Sequence, residues 1–226
     1  AGCSSKSTRL IPDKPAIELY STAQQALQAG NFVSAAETLE ALDTRYPFGP
    51  HTVQVQLDLI YAYYKNNDTA QALANIDRFL RLNPTHKDID YVYYMRGLTN
   101  MAADYNVFHS AFDIDRSDRD PSYADAAFGD FTSLIKRFPE SQYVADAQQR
   151  AIAIKSRLAN YELAAAKYYM KRQAYIAAAQ RGQYIVEHFP DTQARIGALE
   201  VMVSAYEILG QEELKANAQA VLALNN

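Results

Sequence analysis

The chain has 226 residues, of which 49% are apolar and 21% charged, enough to bury a sizeable core. Its net charge of −4 and pI near 5.6 exclude the clustered Lys/Arg face that duplex nucleic acid needs, so no nucleic-acid partner is expected. No run of about 18 apolar residues occurs, so no helix of this sequence crosses a membrane, and a single cysteine excludes an internal disulfide.

That cysteine is Cys3, in Ala1-Gly2-Cys3-Ser4-Ser5. Small-small-Cys followed by small polar residues resembles the end of a bacterial lipoprotein signal, whose cysteine is acylated after cleavage; the sequence carries no apolar segment ahead of it. The bland alternative is a stray buried or reactive thiol. Its place before an unpatterned polar segment favours lipidation at Cys3. Ser4-to-Pro15 has no hydrophobic period, so residues 1–15 are expected to hold the anchor and a tether of at most about 40 Å.

The next stretches show helix pairs in register. With Ala16 as the first position, Ala23, Ala26 and Ala35 are small where two helices must approach, Gly30-Asn31 makes the turn, and Pro47 ends the second helix. Counting from Val53, Leu59, Ala62, Tyr63, Ala72, Phe79 and Pro84 repeat the scheme, Asn67 takes the turn and Asp68 caps the second helix. This is the order of a tetratricopeptide repeat of about 34 residues. A third repeat begins near Asp90, with Gly97 in its first helix and Ala127, Phe131, Leu134 and Pro139 in its second. Between these helices lies an insertion of about 18 residues. Its acids from Asp113 to Asp120 lack the Gly and Glu of a calcium loop and are offset by Arg116 and Arg119, so no metal site is expected. Asp120 is expected to cap the next helix, with Pro121 at its first position.

A long helix is expected over about 141–172, its second half opening a fourth repeat that carries Ala166, Tyr169, Tyr175, Ala178, Ile185 and Pro190. A looser fifth repeat holds Tyr206, Leu209 and Gly210, and needs a one-residue shift to bring in Ala216. The expected fold is all-α, a right-handed solenoid of about five such repeats, ten helices, one pair carrying the inserted loop. Residues 16–140 form the N-terminal repeats and 141–226 the C-terminal ones.

No catalytic constellation appears. His51, His86, His109 and His188 are scattered without metal-ligand spacing, and phosphate-binding and nucleophile motifs are absent. A stack of helix pairs offers a groove for extended segments of other proteins instead. First-helix positions facing such a groove hold Tyr20, Tyr61, Tyr64 and Tyr91, and the stiff turn Arg45–Pro50 adds Tyr46 and Phe48. These aromatics fit a groove for apolar or aromatic peptide side chains; the competing reading is that the tyrosines only pack between repeats. Arg181 falls on a second helix between the core positions Ala178 and Ile185, so it points away from its own core, and Gly182 beside it is expected to leave room for another chain. Its own competing reading is a solvated face.

Leu57–Asn66, Arg81–His86, Ile89–Tyr91 with Met95–Met101, Asp115–Pro121, Arg45–Pro50 and Pro190–Ala194 resemble the BamD family. These are the tetratricopeptide lipoproteins of the bacterial outer-membrane β-barrel assembly machinery. The resemblance runs from Cys3 through nearly the whole chain, weakest in the tether, at 103–112 and in the last dozen residues. It implies a non-enzymatic outer-membrane lipoprotein facing the periplasm, with no cofactor beyond covalent lipid. Its N-terminal repeats would meet unfolded outer-membrane proteins. Its C-terminal repeats would dock a POTRA domain of BamA and the lipoproteins BamC and BamE, with Arg181 on the BamA-facing surface. Another periplasmic tetratricopeptide lipoprotein, such as a secretin pilotin, is the alternative; it should lack the inserted loop and the five-repeat length.

Overall fold

The computed structural model describes residues 11–109 and 121–224, which form ten helices with no strand among the described residues. They are α1 (Ala16–Gln28), α2 (Phe32–Arg45), α3 (Thr52–Lys65), α4 (Thr69–Leu82), α5 (Ile89–His109), α6 (Ser122–Arg137), α7 (Val144–Lys171), α8 (Tyr175–His188), α9 (Ala194–Ile208) and α10 (Glu212–Ala223). All-α architecture and paired antiparallel helices agree with the repeat pattern. The chain forms two compact units, Ala1–Ala103 and Asp104–Asn226. The division falls inside α5, ahead of the boundary expected after residue 140, because α6 packs against α7 and belongs with the second unit.

Two backbone devices recur and define the repeats. Within four pairs the first helix ends in a left-handed residue, at Gly30, Asn67, Gln173 and Gly210. The next N–H bonds back five residues, Asn31 to the Ala26 carbonyl, Asp68 to Tyr63, Ala174 to Tyr169 and Gln211 to Tyr206, each at 2.9 Å. That is the Schellman closure of a helix end. Glycine adopts it freely, while Gln173 does so against a cost of about 1 kcal/mol or more. Asn31 and Asp68 then cap the second helices, accepting from Ser34 N at 3.2 Å and Gln71 N at 3.3 Å.

The second device ends the second helices. Tyr46, Asn83, Phe138 and Phe189 all take φ near −130° and ψ near 50°, and each precedes a proline, which disfavours the helical region for the residue before it. Equivalent turn residues such as Gly30 and Asn67, or Gln173 and Gly210, lie 37 positions apart, not about 34. Proline-led links such as Pro47–His51 and Pro84–Asp88 between pairs lengthen the period.

In unit 1 the small residues work as expected: Ala23, Ala35, Ala62 and Ala72 are fully buried between helices. One cluster joins Leu19, Leu39, Leu59 and Tyr63 with these alanines; a second joins Ile60, Ile76, Phe79, Val92 and Met95 across α3, α4 and α5. Arg78 of α4 reaches Asp43 of α2 at 2.5 Å. In unit 2, α7 runs for 28 residues, about 42 Å, and packs against α6, α8 and α9. Ala166, Ala178, Ala198 and Ala205 are buried there without residual exposure.

Three local expectations are corrected. Helix α6 starts at Ser122, and Pro121 itself takes the cap position, its carbonyl accepting from Asp125 N at 2.8 Å; Asp120 lies outside the described residues. No register shift occurs in α10. Gln211 occupies the same cap position as Asn31, Asp68 and Ala174, and four residues on, where the others have a buried alanine, stands Lys215. Its amine turns outward to Glu207 at 2.9 Å and Glu212 at 3.7 Å, so Ala216 stays exposed and Ala218 is the buried residue. The last correction concerns residues 11–15, which dock on the body instead of extending the tether.

Candidate functional site

Helices α1 and α3 place a polar knot among the aromatics of unit 1. Asp58 accepts from Gln24 Nε2 at 2.5 Å and Gln54 Nε2 at 2.8 Å, and the Tyr20 hydroxyl donates to the same carboxylate. Gln54 and Asp58 share a helix face by their four-residue spacing, and Gln24 comes from α1. Burial holds the Asp58 carboxyl above its ordinary value, with the three donors opposing the shift. Burial and the facing carboxylate likewise raise the Tyr20 phenol. Tyr20 also stacks on His51, ring centroids 4.6 Å apart and planes 4° from parallel.

Around this knot, Tyr20, Tyr46 and Tyr64 rest half-buried on the first core cluster, and Tyr64 and Tyr91 on the second. Tyr61 is 38% exposed and meets Phe32 edge-to-face at 5.9 Å, with the Lys65 amine 5.5 Å above the Phe32 ring. Tyr20, Tyr64 and Tyr91 are therefore packed on the core with an open edge, while Tyr61 lies at the surface against Phe32. Tyr46 and Phe48 differ from the others. They stand on the α2–α3 turn, where the Tyr46 hydroxyl is committed to the Lys14 carbonyl at 3.0 Å and Phe48 is wholly exposed. The sequence reading missed the Asp58 knot; Gln54 and Asp58 four apart on a groove-facing helix were its only signal.

In unit 2, Arg181 lies on α8 and is tied to its own chain. Its Nη1 meets Glu162 Oε2 of α7 at 2.7 Å while the side chain stays 44% exposed, and that bond, with Tyr169 nearby, raises its already high pKa. Gly182 does not leave room for another chain. A Cβ there would sit 2.6 Å from Met202 Cγ and 2.9 Å from the Ala198 carbonyl, so α9 of the same molecule fills the space. Exposed apolar side chains occur on the same two helices, Ile176 and Tyr184 on α8 and Tyr168 on α7. Tyr184 stacks on His188 and meets Phe189 edge-on.

Cys3 and the acidic insertion around Asp113–Asp118 lie outside the described residues. Among the described residues no group of His, Cys, Asp or Glu is placed to hold a metal, and no helix is long and apolar enough to cross a membrane.

Helix hairpins closed by Schellman turns, stopped by X-Pro links and carrying half-buried aromatics on their first helices define a tetratricopeptide-type repeat protein, a scaffold for polypeptide partners. Comparison with known proteins narrows the class. The family profile described as "YfiO: Outer membrane lipoprotein" matches residues 12–222, and the chain belongs to that family. A Vibrio cholerae protein named "Outer membrane protein assembly factor BamD" is 53% identical over 99% of this chain and 92% of its own length. Proteins of the same name from Pasteurella multocida and Neisseria meningitidis are 41% and 39% identical, over 95% and 99% of this chain and 83% and 84% of theirs. The secretin-pilotin alternative finds no support among these relatives.

Proposed function

We infer that this protein is an assembly factor for outer-membrane proteins, anchored through lipid on Cys3 and facing the periplasm, and that it acts by binding rather than catalysis. The observation that carries the reading is the near full-length likeness to relatives named as assembly factors, 53% identical in the Vibrio cholerae protein. Unfolded β-barrel chains present extended segments with aromatic side chains, and unit 1 offers Tyr20, Tyr61, Tyr64 and Tyr91 on one run of helices to receive them. Tyr46 and Phe48 leave this set because both stand on the α2–α3 turn and not on a first helix. Unit 2, with Arg181 and the exposed apolar side chains of α7 and α8, is the surface for a constant partner, a POTRA domain of BamA, with BamC and BamE docking on the same repeats.

The test places a photo-crosslinker at Tyr61, 38% exposed on α3, and another at Leu82, 56% exposed on α4. Peptides ending in the aromatic C-terminus of an outer-membrane protein should be captured from Tyr61 and not from Leu82, and Tyr64→Ala should weaken capture. Equal capture from both positions would remove the groove.

A further inference from the structure

The corner between α2 and α3 carries an aromatic side chain that packing does not explain. Phe48 is 99% exposed, and the turn that presents it is rigid. Gly49 N–H donates to the Tyr46 carbonyl at 3.2 Å, and the Thr52 hydroxyl reaches the Gly49 carbonyl at 2.8 Å and the Pro47 carbonyl at 3.3 Å. Pro47 and Pro50 fix the backbone on either side. A phenyl ring held fully in water stabilises nothing in the folded chain, and a second apolar side chain, Ile17, stands 62% exposed in the first turn of α1. Its neighbour Ala16 lines a small cleft with Tyr46, Gly49 and Pro50, which places the start of α1 at this corner.

The chain also enters the body here. Arg45, the last residue of α2, donates from Nη2 to the Ile11 carbonyl at 2.7 Å and from Nη1 to the Pro12 carbonyl at 2.8 Å, and Tyr46 holds Lys14. Ile11 packs onto the first core cluster. The tether's root is thus clamped three residues from Phe48. Ile11 lies eight positions after Cys3, a covalent span of at most about 29 Å. The charged residues in that stretch are Lys6 and Arg9, both basic, which suits an anionic headgroup layer.

We propose that this corner rests on the bilayer, with Phe48 entering the headgroup–acyl boundary of the leaflet that holds the Cys3 anchor. The proposal rests on the anchoring at Cys3 inferred above. One phenyl ring binds a membrane weakly in solution. Once the anchor makes the encounter intramolecular, a weak contact is enough to set orientation, because the tether supplies a high effective concentration of lipid surface. The Arg45 clamp converts that anchor into an orientation: the corner it fixes is the part of unit 1 that the tether brings nearest the membrane.

The chain has no tryptophan and one cysteine, so the test needs two changes only. Phe48→Trp in the full chain supplies a lone indole fluorophore. In protein produced without the lipid modification, the free Cys3 thiol adds to a maleimide-bearing phosphatidylethanolamine and anchors the chain to phosphatidylethanolamine–phosphatidylglycerol vesicles, so the test does not depend on whether the native cysteine is acylated. The intact mass of the native N-terminal peptide decides acylation separately, so failure of that reading and of this one are told apart. On anchoring, the indole emission of the Phe48→Trp protein should shift to the blue and be quenched by lipids spin-labelled near the headgroup. Val33→Trp, 52% exposed at the opposite end of α2, about 20 Å along the helix, should do neither. Arg45→Ala in the Phe48→Trp background should lower the quenching with helicity retained, and undiminished quenching there would overturn the part assigned to Arg45. Emission unchanged on vesicles overturns the proposal, as does equal quenching at position 33. A blue shift produced by an unfolded outer-membrane protein peptide instead of by vesicles overturns it too and returns Phe48 to the substrate groove.

Discussion

Three glycines lie inside helices of unit 2, and adding one methyl to each should give three different answers. In a helix interior Gly→Ala stabilises by roughly 0.5–1 kcal/mol through backbone entropy alone. At Gly129 of α6 an added Cβ meets nothing within 4 Å, so Gly129→Ala should show that gain in full. At Gly197 of α9 it would lie 2.9 Å from Leu163 Cδ2, the far end of a side chain that rotates away cheaply, and the gain should roughly cancel. At Gly182 of α8 the Cβ would lie 2.6 Å from Met202 Cγ and 2.9 Å from the Ala198 carbonyl oxygen. Met202 has other rotamers, but the carbonyl belongs to the α9 backbone, so the two helices must part. Overpacking of this kind costs about 1–3 kcal/mol, which leaves Gly182→Ala less stable by about 0.5–2 kcal/mol. For a chain of this size that is a fall in Tm of roughly 1–8 °C. Thermal and urea unfolding followed by far-UV circular dichroism gives the order Gly129→Ala above wild type, Gly197→Ala near it and Gly182→Ala below it. A Gly182→Ala protein as stable as Gly129→Ala would refute the close α8–α9 approach.

Two further outcomes follow from charges. Asp58 has a folded pKa raised above 3.8 by burial, so the folded state binds its proton more tightly than the unfolded state does. Its contribution is therefore most favourable below that value and is lost as pH rises through the raised pKa, so urea midpoints of wild type should fall relative to Asp58→Asn between acid pH and neutrality. A difference independent of pH would exclude a strained carboxylate in the knot. For Arg181→Glu, stability should fall by about 1 kcal/mol or more, because the guanidinium is 44% exposed but its partner Glu162 only 13%, and the variant sets two carboxylates against each other. Co-purification of BamA should fall in that variant and in the charge-swapped Arg181→Glu/Glu162→Arg pair, which restores the tie without restoring the surface; recovery in the swap would mean that Arg181 serves only its own chain.

Much of the fold was legible because each repeat element answers to one local cause. Alanine at 35, 72 and 178 marks where helices approach, proline at 47, 84, 139 and 190 marks where second helices stop, and Asn31 and Asp68 mark where they start. What escaped depends on contacts that sequence spacing does not encode. Gln173 adopts a conformation that glycine or asparagine usually announces, and Lys215 takes a position that alanine fills elsewhere, its amine drawn outward to Glu207 and Glu212. The Gly182 reading failed because Gly182, four residues after Ala178 and three before Ile185, shares their buried face, where α9 of the same chain crosses close. The candidate site was legible as a set of first-helix tyrosines, but the Asp58 knot and the Arg45 clamp join residues more than thirty positions apart.

The two units present different surfaces. In unit 1 the tyrosines are held from behind by the core, and Tyr20 is pinned further by Asp58 and the His51 stack. Little rotamer freedom remains to be lost on binding, so a peptide meeting this wall orders mainly itself. Rings of this kind offer area and edge polarity without a specific charge requirement, which suits transient contact with many unfolded sequences that share aromatic residues and little else. In unit 2, α7 and α8 expose the apolar side chains Tyr168 and Ile176 and also carry a guanidinium that already has a carboxylate partner. A partner there has to match an arranged charge as well as bury apolar area, and charge matching is what rejects wrong partners. Under the proposed function, permissive recognition on one unit and selective recognition on the other is the division of labour an assembly factor needs, since its substrates vary and its machine does not.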